Sequence, residues 1–293
     1  MREQDRRAVP PTSVTSTPEA TAARYGSATM ATERTELWLD LLRRLNVAFP
    51  EWAVWKNVDS AMAGTGDVDA LAPRRSWPAI QDAFVEWAKD CGYGPVVVCH
   101  HVLLGPHLIT LEPGARHIVH LDVKERATFR GSTLIDVPLL HDLCVDDPRG
   151  FRRIRAGADG VIRLCSNGIL RGGRPNLEAL ERKRVSDLLS SDPDGVAAMA
   201  ASFGPARDAL LTGAQAFVAG GWDRPAMRKV EAWAAARSVL EPWTGVRRQW
   251  FARVWKRRCP VMRVVLEGKR RVPDDPATWI AEVARGHDVI ATT

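Results

Sequence analysis

The sequence Ala63-Gly64-Thr65-Gly66-Asp67-Val68-Asp69-Ala70-Leu71 contains a glycine turn followed by two carboxylates that one apolar residue separates. Side chains alternate between the faces of a β-strand, so a strand here places Asp67 and Asp69 on one face and Val68 in the core. Carboxylates held this close repel each other, which raises their pKa, and a divalent cation relieves that cost. Sites built only from oxygen ligands are typical of Mg²⁺. The stretch therefore predicts a strand that holds magnesium.

The segments around this strand predict a small mixed sheet. Apolar residues at helical spacing predict a helix over Thr35–Asn46, and 53–55 is typical of a short buried strand. Ser76 and Pro78 indicate the start of a second helix, which ends at Gly92. Three β-rich runs separated by Gly-Pro and Pro-Gly turns predict an antiparallel meander over residues 96–104, 107–111 and 117–123.

The chain becomes mainly helical from about residue 138. Candidate helices cover residues 176–190, 195–203, 207–219, 224–240 and 245–258. Prolines fall at or near the helix ends, where the missing N–H is tolerated. The predicted fold class is α+β, with a small mixed-sheet domain followed by a mainly helical domain. The predicted boundaries are 1–32 for a leader, 33–137 for the sheet domain, 138–260 for the helical domain and 261–293 for a C-terminal tail.

Composition limits the class of protein. The 293 residues suffice for one large domain or two ordinary ones. No run of about 18 apolar residues occurs, so no membrane span is expected. Five scattered cysteines without a Cys-x-x-Cys pair favour a reducing cytoplasm and argue against a disulfide framework or a structural zinc site. Residues 1–32 are rich in Pro, Thr, Ser and Ala without an apolar core, which predicts a disordered leader, and Met30 is an alternative start.

Asp122 is the candidate for a third carboxylate. It lies late in the β-rich run His117–Val123, and in a small sheet such a strand can lie beside the strand that carries Asp67 and Asp69. Three acids converging from two strands would hold one or two Mg²⁺ ions, which could activate a hydroxyl nucleophile and stabilise a leaving pyrophosphate. The alternative is that Asp122 is an acid at the end of a strand that faces solvent.

This order of elements resembles the nucleotidyltransferase superfamily of the DNA polymerase beta type, over about residues 35–130. The family pattern is a helix, then a strand that ends in a Gly-Ser or Gly-Gly turn, then a strand with two acids, and a third acid on a later strand. Lys56-Asn57 stands here where the family has small residues whose amides approach the triphosphate. A following helical domain is common in the family, including many uncharacterised bacterial members.

The resemblance implies a Mg²⁺-dependent enzyme that transfers a nucleoside monophosphate from a nucleoside triphosphate (NTP) to an acceptor hydroxyl or similar group. Asp67 and Asp69 would bind metal, and Asp122 would bind a second metal or act as a base toward the acceptor. The residues expected to bind the nucleotide are Lys56, Asn57, Gly64, Thr65 and Gly66. The glycines just before the acids have a second interpretation, a tight loop that does not hold phosphate.

The net charge of +6 is concentrated near the C-terminus. The segment Trp243–Arg271 has ten basic residues and one acid, so it carries +9 and the rest of the chain sums to −3. The first part of this segment, residues 245–258, predicts an amphipathic basic helix. Such a helix could contact nucleic acid or an anionic membrane surface. The alternative is that its aromatic residues pack against the protein and its basic face is solvated. Its basic residues are Arg247, Arg248, Arg253, Lys256, Arg257 and Arg258. The alternative function is a catalytically inactive protein of the same fold that binds nucleic acid or an acidic partner through this helix.

Other motifs are weaker. Histidine is the commonest metal ligand, so a zinc site is conceivable, although ordinary structural roles are the simpler interpretation. Alternation along a strand would place one residue of each histidine pair on the open face near the acids, where it could contact substrate. The pairs are His100 with His101 and His117 with His120. No dinucleotide fingerprint, P-loop or serine nucleophile elbow is present.

Overall fold

The structure is a computed structural model of this chain, and its described residues are 18–94, 96–99, 105–111, 118–177, 181–243, 246, 250 and 288–290. The strands in chain order are β1 Ala53–Lys56, β2 Val68–Leu71, β3 Val96–Cys99, β4 His107–Leu111, β5 Ile118–Lys124, β6 Arg126–Phe129, β7 Ser132–Asp136, β8 Cys144–Asp147, β9 Phe151–Ile154, β10 Ile169–Leu170, β11 Arg174–Pro175 and β12 Asp288–Ile290. The α-helices are α1 Pro18–Ala48, α2 Val58–Met62, α3 Trp77–Asp90, α4 Val137–Asp142, α5 Ala156–Arg163, α6 Arg182–Ser191, α7 Pro193–Ala201, α8 Arg207–Val218 and α9 Arg224–Leu240.

A mixed eight-stranded sheet lies at the centre, in the order β12-β3-β4-β5-β2-β1-β9-β8. The meander β3-β4-β5 is antiparallel, as the turn signals predict. β2 joins it as the parallel neighbour of β5, and β1 then pairs antiparallel with β2. This arrangement puts the strand of the paired aspartates in the middle of the sheet, where both its edges are hydrogen-bonded.

Each face of the sheet has its own apolar core, and β1 contributes to both because its side chains alternate. Val54 packs with α1 and α3, whose buried residues include Trp38, Leu42, Leu45, Phe84 and Trp87. Trp55 packs on the other face with the helical part of the chain, including Val161, Met199, Leu210, Phe217 and Val230. Burial of each such side chain contributes about 1.5–3 kcal/mol. The two cores therefore hold the central strands from both sides.

The later helices agree closely with the apolar periodicity. α8 and α9 begin at the predicted residues, α7 begins two residues before its predicted start, and α6 begins at Arg182, six residues after the start predicted at 176. Asp192 and Asp223 cap α7 and α9 by accepting hydrogen bonds from the backbone N–H groups of Gly195 and Ala226. A cap of this kind stabilises a helix by about 1 kcal/mol. The predicted basic helix over 245–258 lies outside the described residues, apart from 246 and 250.

Three features differ from the predicted boundaries. Helix α1 begins at Pro18, inside the stretch predicted as a disordered leader. Strands β8 and β9 follow the boundary predicted at 137 and still belong to the central sheet, because β9 pairs parallel with β1. Strand β12 comes from the predicted tail and pairs with β3 at the opposite edge. Both β8 and β9 are short and carry charged residues, which hides the apolar alternation by which strands are recognised.

Among the helices that the structure describes, none combines the length and the apolar character that crossing a bilayer requires. The mixture of helices with one large mixed sheet agrees with the predicted α+β class. The sheet positions the side chains of the candidate site.

Candidate functional site

A row of polar side chains crosses four neighbouring strands. Lys56 on β1 is the register partner of Asp69 on β2, and Asp69 is the partner of Asp122 on β5. Asp122 is in turn the partner of His107 on β4. Residues directly opposite each other on paired strands lie on the same face. The sheet register alone therefore collects two acids, a lysine and a histidine in one line.

The three predicted acids come together at this row. Asp69 is 1% exposed and Asp122 is 3% exposed, so both carboxylates are buried. Asp67 precedes β2 and is partly exposed. One oxygen from each of the three lies within 4.8 Å of the others, a spacing at which a single cation can be held. Carboxylate oxygens are the ligands that Mg²⁺ prefers.

Two lysines already contact these acids. Lys124 Nζ lies 2.9 Å from Asp69 Oδ1 and 2.6 Å from Asp122 Oδ2. Lys56 Nζ lies 3.3 Å from Asp69 Oδ2. Both ammonium groups also lie over the Trp55 ring, at 4.7 Å for Lys56 and 5.8 Å for Lys124. The charge that a cation would neutralise is therefore largely balanced by the chain itself.

Burial and the cationic groups shift the pKa values of these residues in opposite directions. Burial raises the pKa of Asp69, and the charges of Lys124 and Lys56 offset this only in part. Burial also pushes the pKa of Asp122 upward, but the His107 imidazole and the Lys124 ammonium hold that pKa well below its usual range. Burial alone would lower the pKa of Lys124, yet its two carboxylate partners raise it to about 12. Asp122 and Lys124 are thus a fixed anion and a fixed cation at neutral pH.

Asn57 occupies the turn between β1 and α2 in a left-handed conformation, with φ 69°. Asparagine is one of the few residues other than glycine that adopt this conformation readily. Its amide nitrogen donates to Asp69 Oδ2 at 3.0 Å and lies 3.4 Å from Asp67 Oδ1. The side chain that replaces the small residue of the family pattern therefore points at the acids and bonds them.

Arg163 fixes the orientation of that amide. Its Nη2 donates to Asn57 Oδ1 at 3.0 Å, and a guanidinium can only donate, so the amide nitrogen of Asn57 must face the carboxylates. Arg163 is itself bonded to Asp159 at 2.7 Å, and both are buried within α5. Sequence reasoning missed this pair, although an acid and a base four residues apart in an otherwise apolar helix are an available signal.

A second potential ligand group adjoins the acids. His107 Nδ1 lies 2.7 Å from Asp122 Oδ1 and 3.0 Å from His120 Nε2. Burial lowers the pKa of His120, and the neighbouring His107 lowers it further, which favours the neutral imidazole. His100, His101 and His117, the other histidines considered from the sequence, lie outside the described residues. Of the histidines predicted to lie near the acids, His120 is the one that the structure describes there.

No family model, no curated protein and no solved structure matches this chain. The resemblance to nucleotidyltransferases therefore rests on the order of the elements and the placement of the acids.

The glycine turn before β2 is closed by its own hydrogen bonds. Gly64 and Gly66 have φ of 91° and 86°, values that favour glycine. The N–H of Gly64 donates to the Ala61 carbonyl, and the N–H and hydroxyl of Thr65 both donate to the Ser60 carbonyl. These three donors are committed within the turn, which leads directly into Asp67 and β2.

A cleft of about 660 Å³, lined by three basic and three acidic residues among others, opens beside α2. Its lining comes from α2 and α6 and comprises Asp59, Glu181, Arg182, Lys183, Arg184, Asp187, Leu188 and Ser191. Arg184 Nη1 donates to the Ser60 hydroxyl at 2.6 Å, which ties α6 to α2. Asp67, Asp69 and Asp122 do not line this cleft. It is a neighbour of the site and not the site itself.

Proposed function

We propose that this chain is a divalent-cation-dependent nucleotidyltransferase. The observation that carries the proposal is the parallel pairing of Asp69 with Asp122, with an oxygen of Asp67 within 4.8 Å of both. In this reaction the acceptor oxygen bonds to the α-phosphorus of an NTP. The bond from that phosphorus to the oxygen that bridges to the β-phosphate breaks, pyrophosphate leaves with the electron pair, and the hydroxyl proton passes to a base or to water.

The donor set fits a hard cation. Asp67, Asp69 and Asp122 offer only oxygen atoms, and the partly exposed Asp67 leaves a side toward solvent, which suits an ion that keeps several waters. Bound Mg²⁺ would supply Lewis-acid activation of the hydroxyl and neutralise charge on the leaving pyrophosphate. The low pKa of Asp122 supports the role of a ligand, because an efficient general base has a pKa near the working pH.

In this proposal the two lysines would also bind the phosphates of the NTP. Lys124 and Lys56 contact carboxylates that a divalent cation would bind. A cation bound there would displace the ammonium groups, which would then be free to bind phosphate oxygens a few ångströms away. Phosphoryl-type transfer depends mainly on such positioning and on charge neutralisation. Asn57, held by Arg163, would keep the carboxylates oriented during the exchange.

The decisive experiment uses NTPs labelled at the α-phosphate. Wild-type protein is expected to bind an NTP in the presence of Mg²⁺, to release pyrophosphate and to pass label to an acceptor. Asp69→Asn removes a buried ligand and should lower the rate by at least about a hundredfold, as loss of one key electrostatic group commonly does. Asp82→Asn, at an exposed position of α3, is the matched control and should behave as wild type. Failure of the wild-type protein to bind any NTP with Mg²⁺ would overturn the proposal.

A second candidate is a non-catalytic binding protein of this fold. The observation that favours it is that Lys56, Lys124 and Asn57 already provide partners for the acids. Such a protein would bind nucleic acid or an acidic partner through the basic C-terminal segment. Binding would then weaken steeply with salt, persist in Asp69→Asn and fail when basic residues are reversed, for which Arg253, Arg257 and Arg258 are the residues to change. Binding that does not depend on salt would contradict it.

A further inference from the structure

We infer that His107, His120 and Asp122 form a second metal site, for a divalent transition ion of the zinc type. The site lies beside the three carboxylates and shares Asp122 with them. It differs from them chemically, because two of its three ligand atoms are imidazole nitrogens. Nitrogen ligands favour zinc and its transition-metal neighbours over Mg²⁺. The inference does not depend on the proposed transferase activity.

The ligand atoms are already close to the spacing that an ion requires. His107 Nδ1 lies 2.7 Å from Asp122 Oδ1 and 3.0 Å from His120 Nε2, and one ligand atom from each of the three residues lies within 4.8 Å of the others. Ligands about 2.0–2.1 Å from a tetrahedral ion are roughly 3.3 Å apart. The separations of 2.7 and 3.0 Å are therefore each within about 0.6 Å of the spacing that an ion requires.

The sheet holds these residues in place. His107 and Asp122 are directly opposite on β4 and β5, and His120 precedes Asp122 by two residues, so it lies on the same face. The side chains of His107 and Asp122 are 10% and 4% exposed, which restricts their rotamers. Ligands on neighbouring strands with few alternative rotamers are pre-organised, a property that metal sites need.

The carboxylate of Asp122 divides its oxygens between the two sites. Oδ2 contacts Lys124 at 2.6 Å, whereas Oδ1 faces the imidazoles. This Oδ1 lies 2.7 Å from His107 Nδ1, so an ion bound here would take the place of that contact. Two nitrogens and one oxygen are three ligands, and a site of this kind leaves a position for water or a substrate oxygen, as catalytic zinc sites do.

The competing explanation is a hydrogen-bonded chain from Asp122 through His107 to His120, without an ion. The test is a titration of full-length, chelator-treated protein with Co²⁺, followed by competition with Zn²⁺. The expected result is one Co²⁺ per chain with a visible spectrum of nitrogen coordination, displaced by Zn²⁺ and not by excess Mg²⁺. His120→Gln should weaken binding by more than about 100-fold, because even partners outside the ligand shell are worth 10–100-fold.

Two control variants and a repeat at the second histidine separate the outcomes. His141→Gln, at an exposed histidine of α4, should bind Co²⁺ as wild type does. Asp69→Asn removes a carboxylate of the neighbouring site and should also leave Co²⁺ binding intact, whatever it does to nucleotide transfer. His107→Gln repeats the test at the more buried ligand, with circular dichroism to show that it folds. Absence of Co²⁺ binding in wild type, or equal loss in Asp69→Asn and His120→Gln, would overturn the inference.

Discussion

The ammonium nitrogen of Lys124 lies 2.6 Å from Oδ2 of Asp122. It also lies 2.9 Å from Asp69 Oδ1, so it bridges two buried acids on neighbouring parallel strands. Isolated charges are costly to bury, and such a bridge is one way to keep two carboxylates in a core. In the proposed function, a divalent cation would compete with Lys124 for these carboxylates. The charge state of the site would then depend on an exchange between an internal cation and an external one.

Lys124→Met tests this exchange. The variant leaves Asp69 and Asp122 buried without their shared cation, and removal of one partner of a buried ion pair costs up to about 3–5 kcal/mol. Its free energy of unfolding should fall accordingly in the absence of divalent ions. Mg²⁺ should then stabilise the variant more than the wild type. At a Mg²⁺ concentration one hundred times the Kd of the variant, its free energy of unfolding should rise by about 2.7 kcal/mol.

Urea unfolding with and without Mg²⁺ measures both effects. Lys183→Met is the matched control, because Lys183 forms an exposed pair with Asp187 on α6 and lies at the surface. It should change stability by less than about 0.5 kcal/mol and gain nothing from Mg²⁺. Equal responses of the two variants to Mg²⁺ would contradict the exchange.

Asn57 is predicted to act through its amide as well as through its backbone. Asn57→Ala and Asn57→Gly both delete the hydrogen bonds to Asp69 and from Arg163. Alanine must also adopt the left-handed conformation, which costs roughly 1–2 kcal/mol, whereas glycine adopts it freely. Thermal unfolding should therefore rank wild type above Asn57→Gly and Asn57→Ala last. Metal affinity should fall equally in both variants, because both lack the amide. A larger loss of metal affinity in Asn57→Ala than in Asn57→Gly would contradict a role for the amide.

Much of this site was predictable because alternation along a strand is local. The pattern of Asp67 and Asp69 predicts two acids on one face, and Asp122 is a β-strand acid. Lys124 follows Asp122 by two residues, so the same rule places it on the same face. What the sequence did not provide is the register of β2 on β5, because it depends on segments about fifty residues apart.

Arg163 could not have been assigned to the site from its own sequence. Its bond to Asn57 depends on how α5 packs against the turn after β1, which no local pattern encodes. Strands β8 and β9 were missed for a related reason, because charged residues break their apolar alternation. Non-local packing decides both features, whereas local patterns decide the helices from α6 to α9.

Arg163→Met should be strongly destabilising. It leaves Asp159 buried and unpaired, which costs about 3–5 kcal/mol, and frees the Asn57 amide to rotate. Adding Asp159→Asn removes the orphaned charge, so the double variant should be more stable than Arg163→Met alone. Chemical denaturation of the two variants measures this coupling. Arg207→Met, at an exposed position of α8, is the control, and a double variant less stable than Arg163→Met would refute the buried pair.

The hairpin of β8 and β9 should make stability depend on acid pH through Asp147. Hydrogen bonds from Arg149 lower the pKa of Asp147 to about 2, although partial burial opposes the shift, and Arg153 Nη1 lies 3.3 Å from its carboxylate. A carboxyl group with a lowered pKa in the folded state stabilises the fold above the pKa of the unfolded chain, about 3.9. That stabilisation is lost as the pH falls toward 2.

Asp147→Asn should therefore be less stable than wild type by about 1–2 kcal/mol at pH 6, an amount reduced by solvent screening of the arginines. The difference should shrink below about pH 4 and vanish near pH 2, as the wild-type carboxyl group becomes protonated. Urea unfolding of both proteins between pH 6 and pH 2 measures the two slopes. Asp146→Asn, at the exposed neighbouring residue, should follow wild type throughout. A difference between Asp147→Asn and wild type that stays constant with pH would mean that the ion pair contributes nothing and that only packing has changed.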